Sequence, residues 1–212
     1  VIKAIIFDLD SCLAAADEVG EALFADAFDA IRSANNGRLS EEQLTSAFRD
    51  CWRFPFDFIC AKYGFSEPMR SAGFVAFSKT EVTTQMRGYG DLAALKELHA
   101  KLFLVTSGFR RLQQSKIKAL GIEHLLTEFH IDAIDESGPK GKLHAFQSIL
   151  KKHHLSPAEM LVVGDNPESE IAVGSQLGMT TIQTLRPGVP PSAAANHHIT
   201  SLHELKRFLS PL

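Results

Sequence analysis

Val1-Ile2-Lys3-Ala4-Ile5-Ile6-Phe7-Asp8-Leu9-Asp10 decides the fold. A near-continuous apolar run ending in two carboxylates reads as a strand buried on both faces, with acids delivered at its carboxyl end. Three further apolar runs have the same character: 101–105 (Lys-Leu-Phe-Leu-Val), 160–163 (Met-Leu-Val-Val) and 180–185. A fifth strand is expected near 129–134. Helical patterns alternate with them. Leu143, Phe146, Ile149, Leu150 and His153 share one face, and Leu112, Ile117 and Leu120 another, closed by Gly121. A further helix ends at Leu177-Gly178. This alternation predicts an α/β fold: a parallel sheet with right-handed crossovers.

Residues 14–88 break the pattern, with no good strand run. The alanine-rich stretch 18–34 predicts one helix. Ser40-Glu41-Glu42-Gln43 starts a second, and Ser66-Glu67-Pro68 a third with proline in its first turn. A helical module of ~75 residues is therefore expected between the first strand and the rest of the sheet, within the size of one domain plus an insertion. The expected division is 1–13 and 89–212 for the α/β part and 14–88 for the helical part. Residues 186–198 read as a long loop, and 201–209 as a last helix.

Composition narrows the function. A hydrophobic fraction of 45% and a charged fraction of 22% suit an ordinary globular chain. The net charge is −3, and neither 14–88 nor the remainder is basic, which argues against a nucleic-acid polymer as partner. No apolar run is long enough to span a membrane. Cys12, Cys51 and Cys60 are too few for a disulfide framework, and reduced thiols in a cytoplasm are the simplest expectation. Val1–Phe7 reads as a strand rather than a leader. His153-His154 and His197-His198 show no third ligand at metal spacing.

Chemistry should collect beyond the carboxyl ends of the strands. After the first come Asp8-Leu9-Asp10, after the second Thr106-Ser107-Gly108, and after the 160–163 run Gly164-Asp165-Asn166, with Glu168 and Glu170 close behind. Lys140 and Lys142 lie ahead of the preceding helix. Asp8 and Asp165 can hold a hard divalent cation such as Mg²⁺. Asp8 suits a nucleophile and Asp10 a general acid/base. Thr106, Ser107 and a lysine suit an anion.

Phe7-Asp8-Leu9-Asp10-Ser11-Cys12-Leu13 resembles the aspartate signature of the haloacid dehalogenase superfamily. Val105-Thr106-Ser107-Gly108 is similar to its second motif, Lys140 to its lysine motif, and Val162–Ile171 to its acidic fourth motif. The four stand in order over nearly the whole chain. The insertion is similar to the C1 cap of the phosphoglycolate-phosphatase-like and β-phosphoglucomutase-like branch. The resemblance implies a Rossmann-like core with a helical cap, and hydrolysis of a small phosphomonoester through an aspartyl-phosphate on Asp8. Asp10 would protonate the leaving oxygen, then activate water. Mg²⁺ would be held by Asp8, the Asp10 backbone carbonyl and Asp165. Thr106, Ser107 and Lys140 would bind the phosphoryl group. Spacing to Phe146 favours Lys140 over Lys142.

Glu170 stands where the family usually has aspartate, so Glu168 and Asn166 are alternative metal neighbours. Cys12 stands where threonine or valine is usual; it either bonds weakly to Asp8 or fills an apolar gap. The aromatic run Trp52–Phe58 is expected as cap core, with Arg53 the first choice for contacting substrate. The expected partner is a small phosphorylated metabolite. The alternatives are a phosphosugar mutase, a dehalogenase (opposed by Asp10) and a non-catalytic binding protein.

Overall fold

The computed structural model describes residues 1–138 and 141–209. Six strands form one parallel sheet: β1 (Ala4–Phe7), β2 (Lys101–Gly108), β3 (Glu128–Ala133), β4 (Met160–Gly164), β5 (Thr180–Thr184) and β6 (His197–Ile199). Their spatial order is β3-β2-β1-β4-β5-β6, a Rossmann-like arrangement. β1 lies in the middle, with Phe7 opposite both Leu104 and Val163. The chain builds outward on one side through β2 and β3, then crosses to β4. That reversal is the switch point at which open α/β sheets bind ligands.

Both faces of the sheet are covered. Ile6, Phe103, Val105 and Val162 pack on one face against Phe146 and Ile149 of α6 (Lys142–His153). Ile5, Phe7, Leu104 and Val163 pack on the other with Leu112, Ile117 and Leu120 of α5 (Arg110–Leu120). α5 stops at Gly121 with φ 66°. That left-handed turn suits glycine, as its spacing predicts. His153, on the same helix face as Phe146 and Ile149, packs on the Phe103 ring and meets Glu128 at 3.0 Å.

The inserted segment holds four helices: α1 (Ala25–Ser33), α2 (Glu41–Asp50), α3 (Phe56–Tyr63) and α4 (Glu67–Phe77). Ser40 caps α2 through a reciprocal bond pair with Gln43. Two expectations need correcting here. The single helix over 18–34 is instead two 3-10 turns, Ala16–Val19 and Glu21–Phe24, followed by α1, because Gly20 at φ 82° breaks the run. α3 is an additional helix inside the aromatic stretch, bounded by Pro55 and by Gly64 in the left-handed region.

The chain leaves the sheet at Leu13 and returns beside it, where the Tyr89 N–H donates to the Leu13 carbonyl at 2.9 Å. A Cβ on Gly88 would lie 2.9 Å from that same oxygen, so glycine is what the close passage tolerates. The Glu18 carboxylate accepts from the Gly88 N–H, tying the outgoing linker to the returning one.

Two C-terminal expectations also change. His197 and His198, expected as the end of a loop, form with Ile199 a three-residue edge strand that pairs in parallel with β5 and is too short to show a pattern. The last helix is a 3-10 turn, Leu202–Leu205, running into α8 (Lys206–Leu209).

Candidate active site

The carboxyl ends of β1, β2 and β4 meet at a cavity of about 150 Å³. Asp8 follows β1 directly, and its N–H donates to the Val163 carbonyl at 2.9 Å, continuing the ladder. The chain then turns tightly. The Leu13 N–H donates to the Leu9 carbonyl at 2.9 Å, and Ser11 takes a left-handed φ of 56°. This turn brings Asp10 to the same cavity as Asp8. Thr106 arrives from β2. Asp165 follows β4, its carbonyl held by the Gln183 amide at 2.9 Å.

Glu170, the first residue of α7 (Glu170–Gln176), is fully buried. Its Oε1 accepts from the Asn166 N–H at 2.7 Å and its Oε2 from Lys142 Nζ at 2.7 Å. A side chain on Gly164 would overlap this carboxylate, with a Cβ 2.2 Å from Oε1. Glycine at the end of β4 is thus what admits Glu170. Lys142 Nζ also lies 2.9 Å from Asp8 Oδ1.

The lysine that reaches Asp8 is therefore Lys142, where spacing favours Lys140; Lys140 lies outside the described residues. Lys142 is the first residue of α6, whose start is fixed when the Gly141 N–H donates to Asp132 Oδ1 at 2.8 Å. Asp132 Oδ2 accepts from the Ser107 hydroxyl at 3.1 Å, so Ser107 braces the approach to Lys142. Asn166 lines the cavity, while its side-chain oxygen accepts from the Glu168 N–H at 2.9 Å. Glu168 itself is exposed.

Asp8, Asp165 and Glu170 each offer an oxygen within 4.8 Å of the others. Burial, then Glu170 and Asp165 against the opposing pull of Lys142, push the Asp8 carboxyl up to about 8. Burial and the charge of Glu170 push Asp165 up to about 7. Burial alone would lower the Lys142 ammonium, but Asp8 and Glu170 outweigh it and hold it above the ordinary lysine value. Three carboxylates against one ammonium leave an excess of negative charge on hard oxygen donors. That donor set fits a divalent cation such as Mg²⁺.

Sequence reasoning missed Gln113, Lys116 and Arg186. Gln113 and Lys116 reach Asp10 from α5. Arg186 is buried, donates to the Cys12 carbonyl at 2.8 Å and pairs with Asp91 through two bonds of 2.9 and 3.0 Å. It thereby ties the turn after Asp10 to the returning linker. A lone Arg-Pro-Gly after β5 carries no signal of this. Cys12 is buried, and its Sγ lies 3.5 Å from the Val163 carbonyl. Its thiol points to backbone rather than to Asp8, in keeping with the gap-filling reading. Burial and the nearby Asp8 charge push that thiol well above its ordinary value.

The opposite wall of the cavity comes from the inserted helices and their loops. Phe24, Trp52, Phe54, Phe56 and Phe77 line it, with Phe24 stacked on Trp52 at 4.4 Å. Arg53 lines it too, exposed and without an ion-pair partner among the described residues.

The haloacid dehalogenase-like hydrolase model matches residues 2–178. The chain belongs to this family. Among curated proteins, this hydrolase is 29% identical over 201 residues to a glyceraldehyde 3-phosphate phosphatase of Methanopyrus kandleri, covering 88% of this chain and 85% of that one. Among solved structures, it matches a HAD phosphatase from Thermococcus onnurineus with a TM-score of 0.65 at 20% identity, over 98% of both chains. It also matches a HAD hydrolase from Bacillus subtilis bound to magnesium, with a TM-score of 0.63 at 14% identity over 99% of both chains. At these identities the two structures bear on the fold of the hydrolase alone.

Proposed function

We propose that this hydrolase is a Mg²⁺-dependent phosphatase that cleaves a small phosphomonoester through an aspartyl-phosphate on Asp8. The observation that carries the reading is Asp10, placed beside Asp8 on one cavity. A phosphate ester needs a proton on its leaving oxygen, and a carbon–halogen bond does not. In the first step an Asp8 oxygen attacks phosphorus, the bond to the leaving oxygen breaks, and Asp10 supplies that oxygen's proton. In the second step water attacks phosphorus, Asp10 takes its proton, and the bond to Asp8 breaks. A bound divalent cation supplies positive charge to the phosphoryl oxygens. Asp8, Asp165 and Glu170 would hold it by their side chains, and Asp10 through its backbone carbonyl. Thr106 and Lys142 would face the transferring group.

The inserted segment, 14–88, acts as a cap on the core formed by 1–13 and 89–212. Its linkers run side by side at Leu13 and Tyr89, a narrow connection suited to cap movement over the site. The cavity of about 150 Å³ is well below the ~300–1,000 Å³ of a drug-sized ligand site. It favours an ester of a few carbons over a nucleotide, as the name of the Methanopyrus relative also does. Arg53 would meet a polar or anionic tail. Three free cysteines and a net charge of −3 suit a cytoplasmic enzyme acting on metabolites.

The test is a panel of phosphate esters assayed with Mg²⁺ and with EDTA. Mg²⁺-dependent release of free phosphate from small esters is expected. Return of the phosphoryl group to another hydroxyl of the substrate would make the protein a mutase, and no turnover of any ester would overturn the reading.

A further inference from the structure

Asp10 is held from behind by two side chains of α5. Lys116, only 4% exposed, places Nζ 2.8 Å from Asp10 Oδ1. Gln113, 2% exposed, donates from Nε2 to Asp10 Oδ2 at 3.1 Å and to Thr106 Oγ1 at 2.6 Å. Both sit on the inner side of a helix whose Leu112, Ile117 and Leu120 already supply its apolar packing. Burying an ammonium costs several kcal/mol unless it is well paired, and burying an amide also needs partners. At this place Asp10 supplies the pairing, so the two polar groups are spent on the orientation of one carboxylate.

We propose that Lys116, assisted by Gln113, is a positioning residue for Asp10, which the proposed mechanism uses as acid and base. Lys116 and Gln113 each occupy one lone pair of the Asp10 carboxylate and fix its rotation. The remaining lone pairs stay available to the leaving oxygen and to water. Lys116 transfers no proton; the proton moves between Asp10 and the leaving oxygen, and later between water and Asp10. The Gln113 amide couples this setting to phosphate binding. Because Thr106 Oγ1 accepts from Gln113, its own O–H is left to donate to a phosphoryl oxygen. One helix face therefore sets both the acid and the hydroxyl relative to Asp8.

The inference rests on the role proposed for Asp10, and the experiment separates the two. Lys116→Met, Lys116→Arg, Asp10→Asn and the double variant Asp10→Asn/Lys116→Met are assayed with Mg²⁺. The substrates are p-nitrophenyl phosphate, whose leaving group needs no proton, and glycerol phosphate, whose leaving group does. Lys116→Met is expected to lower kcat/KM, which reads the transfer to Asp8, on glycerol phosphate by roughly 10–100-fold more than on p-nitrophenyl phosphate, the scale of a misplaced catalytic group. KM should change little, Lys116→Arg should recover part of the loss, and Lys116→Met should add little once Asp10 is asparagine. Gln113→Leu removes one donor and no buried charge, and gives the same readout should Lys116→Met fail to fold. Equal losses of kcat/KM on both esters, or losses that multiply in the double variant, would overturn the inference. If Asp10→Asn itself shows no dependence on the leaving group, the role proposed for Asp10 falls instead.

Discussion

The floor and the roof of the cavity are made of opposite materials. On the floor, Asp8, Lys142, Asp165 and Glu170 crowd charge at the ends of β1 and β4 and the starts of α6 and α7. On the roof, Phe24, Trp52, Phe54, Phe56 and Phe77 offer rings, beside Arg53, which has no ion-pair partner among the described residues. Asp8 and Glu170 are both held by Lys142, whose loss strands buried charge. Roof residues are held by shape. The Phe77 ring stacks on Phe109 of the core at 5.3 Å, and Phe56 lies 5.0 Å from Phe77. Such packing tolerates exchange among apolar side chains better than a charge network tolerates a missing partner. A floor of this kind suits fixed chemistry, and a roof of this kind suits adjustable specificity.

The contrast can be broken most sharply at Asp8. Asp8→Asn is expected to lower turnover by roughly 10⁴–10⁶-fold on every ester alike, as loss of a nucleophile does. A loss confined to some esters would make Asp8 a specificity residue and erase the distinction. Next comes Lys142. Lys142→Met leaves Asp8 and Glu170 buried without their ammonium, and is expected to cost about 3–5 kcal/mol in urea unfolding with EDTA present. A cost under about 1 kcal/mol would mean that the floor is not held by charge. Lys140→Met, assayed alongside, decides which lysine serves the phosphoryl group; the larger rise in KM is expected for Lys142→Met.

Acidity sharpens the same comparison. Asp8 lies at about 8 and Asp165 at about 7, both above their ordinary value of 3.8. A raised carboxyl means that the folded state binds more protons than the unfolded one. Stability is then greatest below the unfolded value and is lost as pH rises toward the folded value. In EDTA, Tm is expected to fall as pH rises from about 4 to about 8, and Mg²⁺ should offset the fall at the upper end. A metal-free Tm that climbs through this window would contradict the charge crowding. The smallest effect is expected on the roof. Arg53→Ala should change the ranking of esters by roughly tenfold or less in kcat/KM, while p-nitrophenyl phosphate is still cleaved. An unchanged ranking would remove Arg53 from substrate recognition.

How much of this was legible in the sequence follows from where each residue stands. Asp8, Asp10, Thr106 and Asp165 sit at or just past the ends of apolar strand runs, and a parallel sheet must deliver such residues to one rim. The sheet's central strands were legible for the same reason. Lys116 and Gln113 reach inward from a helix whose apolar pattern gives no sign of them, and only tertiary packing shows that they meet Asp10. Lys142 reaches Asp8 because the bond from Gly141 to Asp132 sets where α6 begins, while Lys140 lies outside the described residues. α3 hid within an aromatic stretch that lacks clean periodicity, and β6 is too short for any.

The central claim is that chemistry passes through a phosphoryl group on Asp8. Turnover of a small phosphate ester with Mg²⁺, quenched in acid within a single cycle and mapped by peptide mass, tests it directly. One phosphoryl group on the peptide that carries Asp8 is expected, cleavable by hydroxylamine as an acyl phosphate is, and accumulating on p-nitrophenyl phosphate, whose leaving group needs no proton in the first step, when Asp10→Asn slows the second. Full turnover with no covalent phosphate on Asp8 at any time point would contradict it.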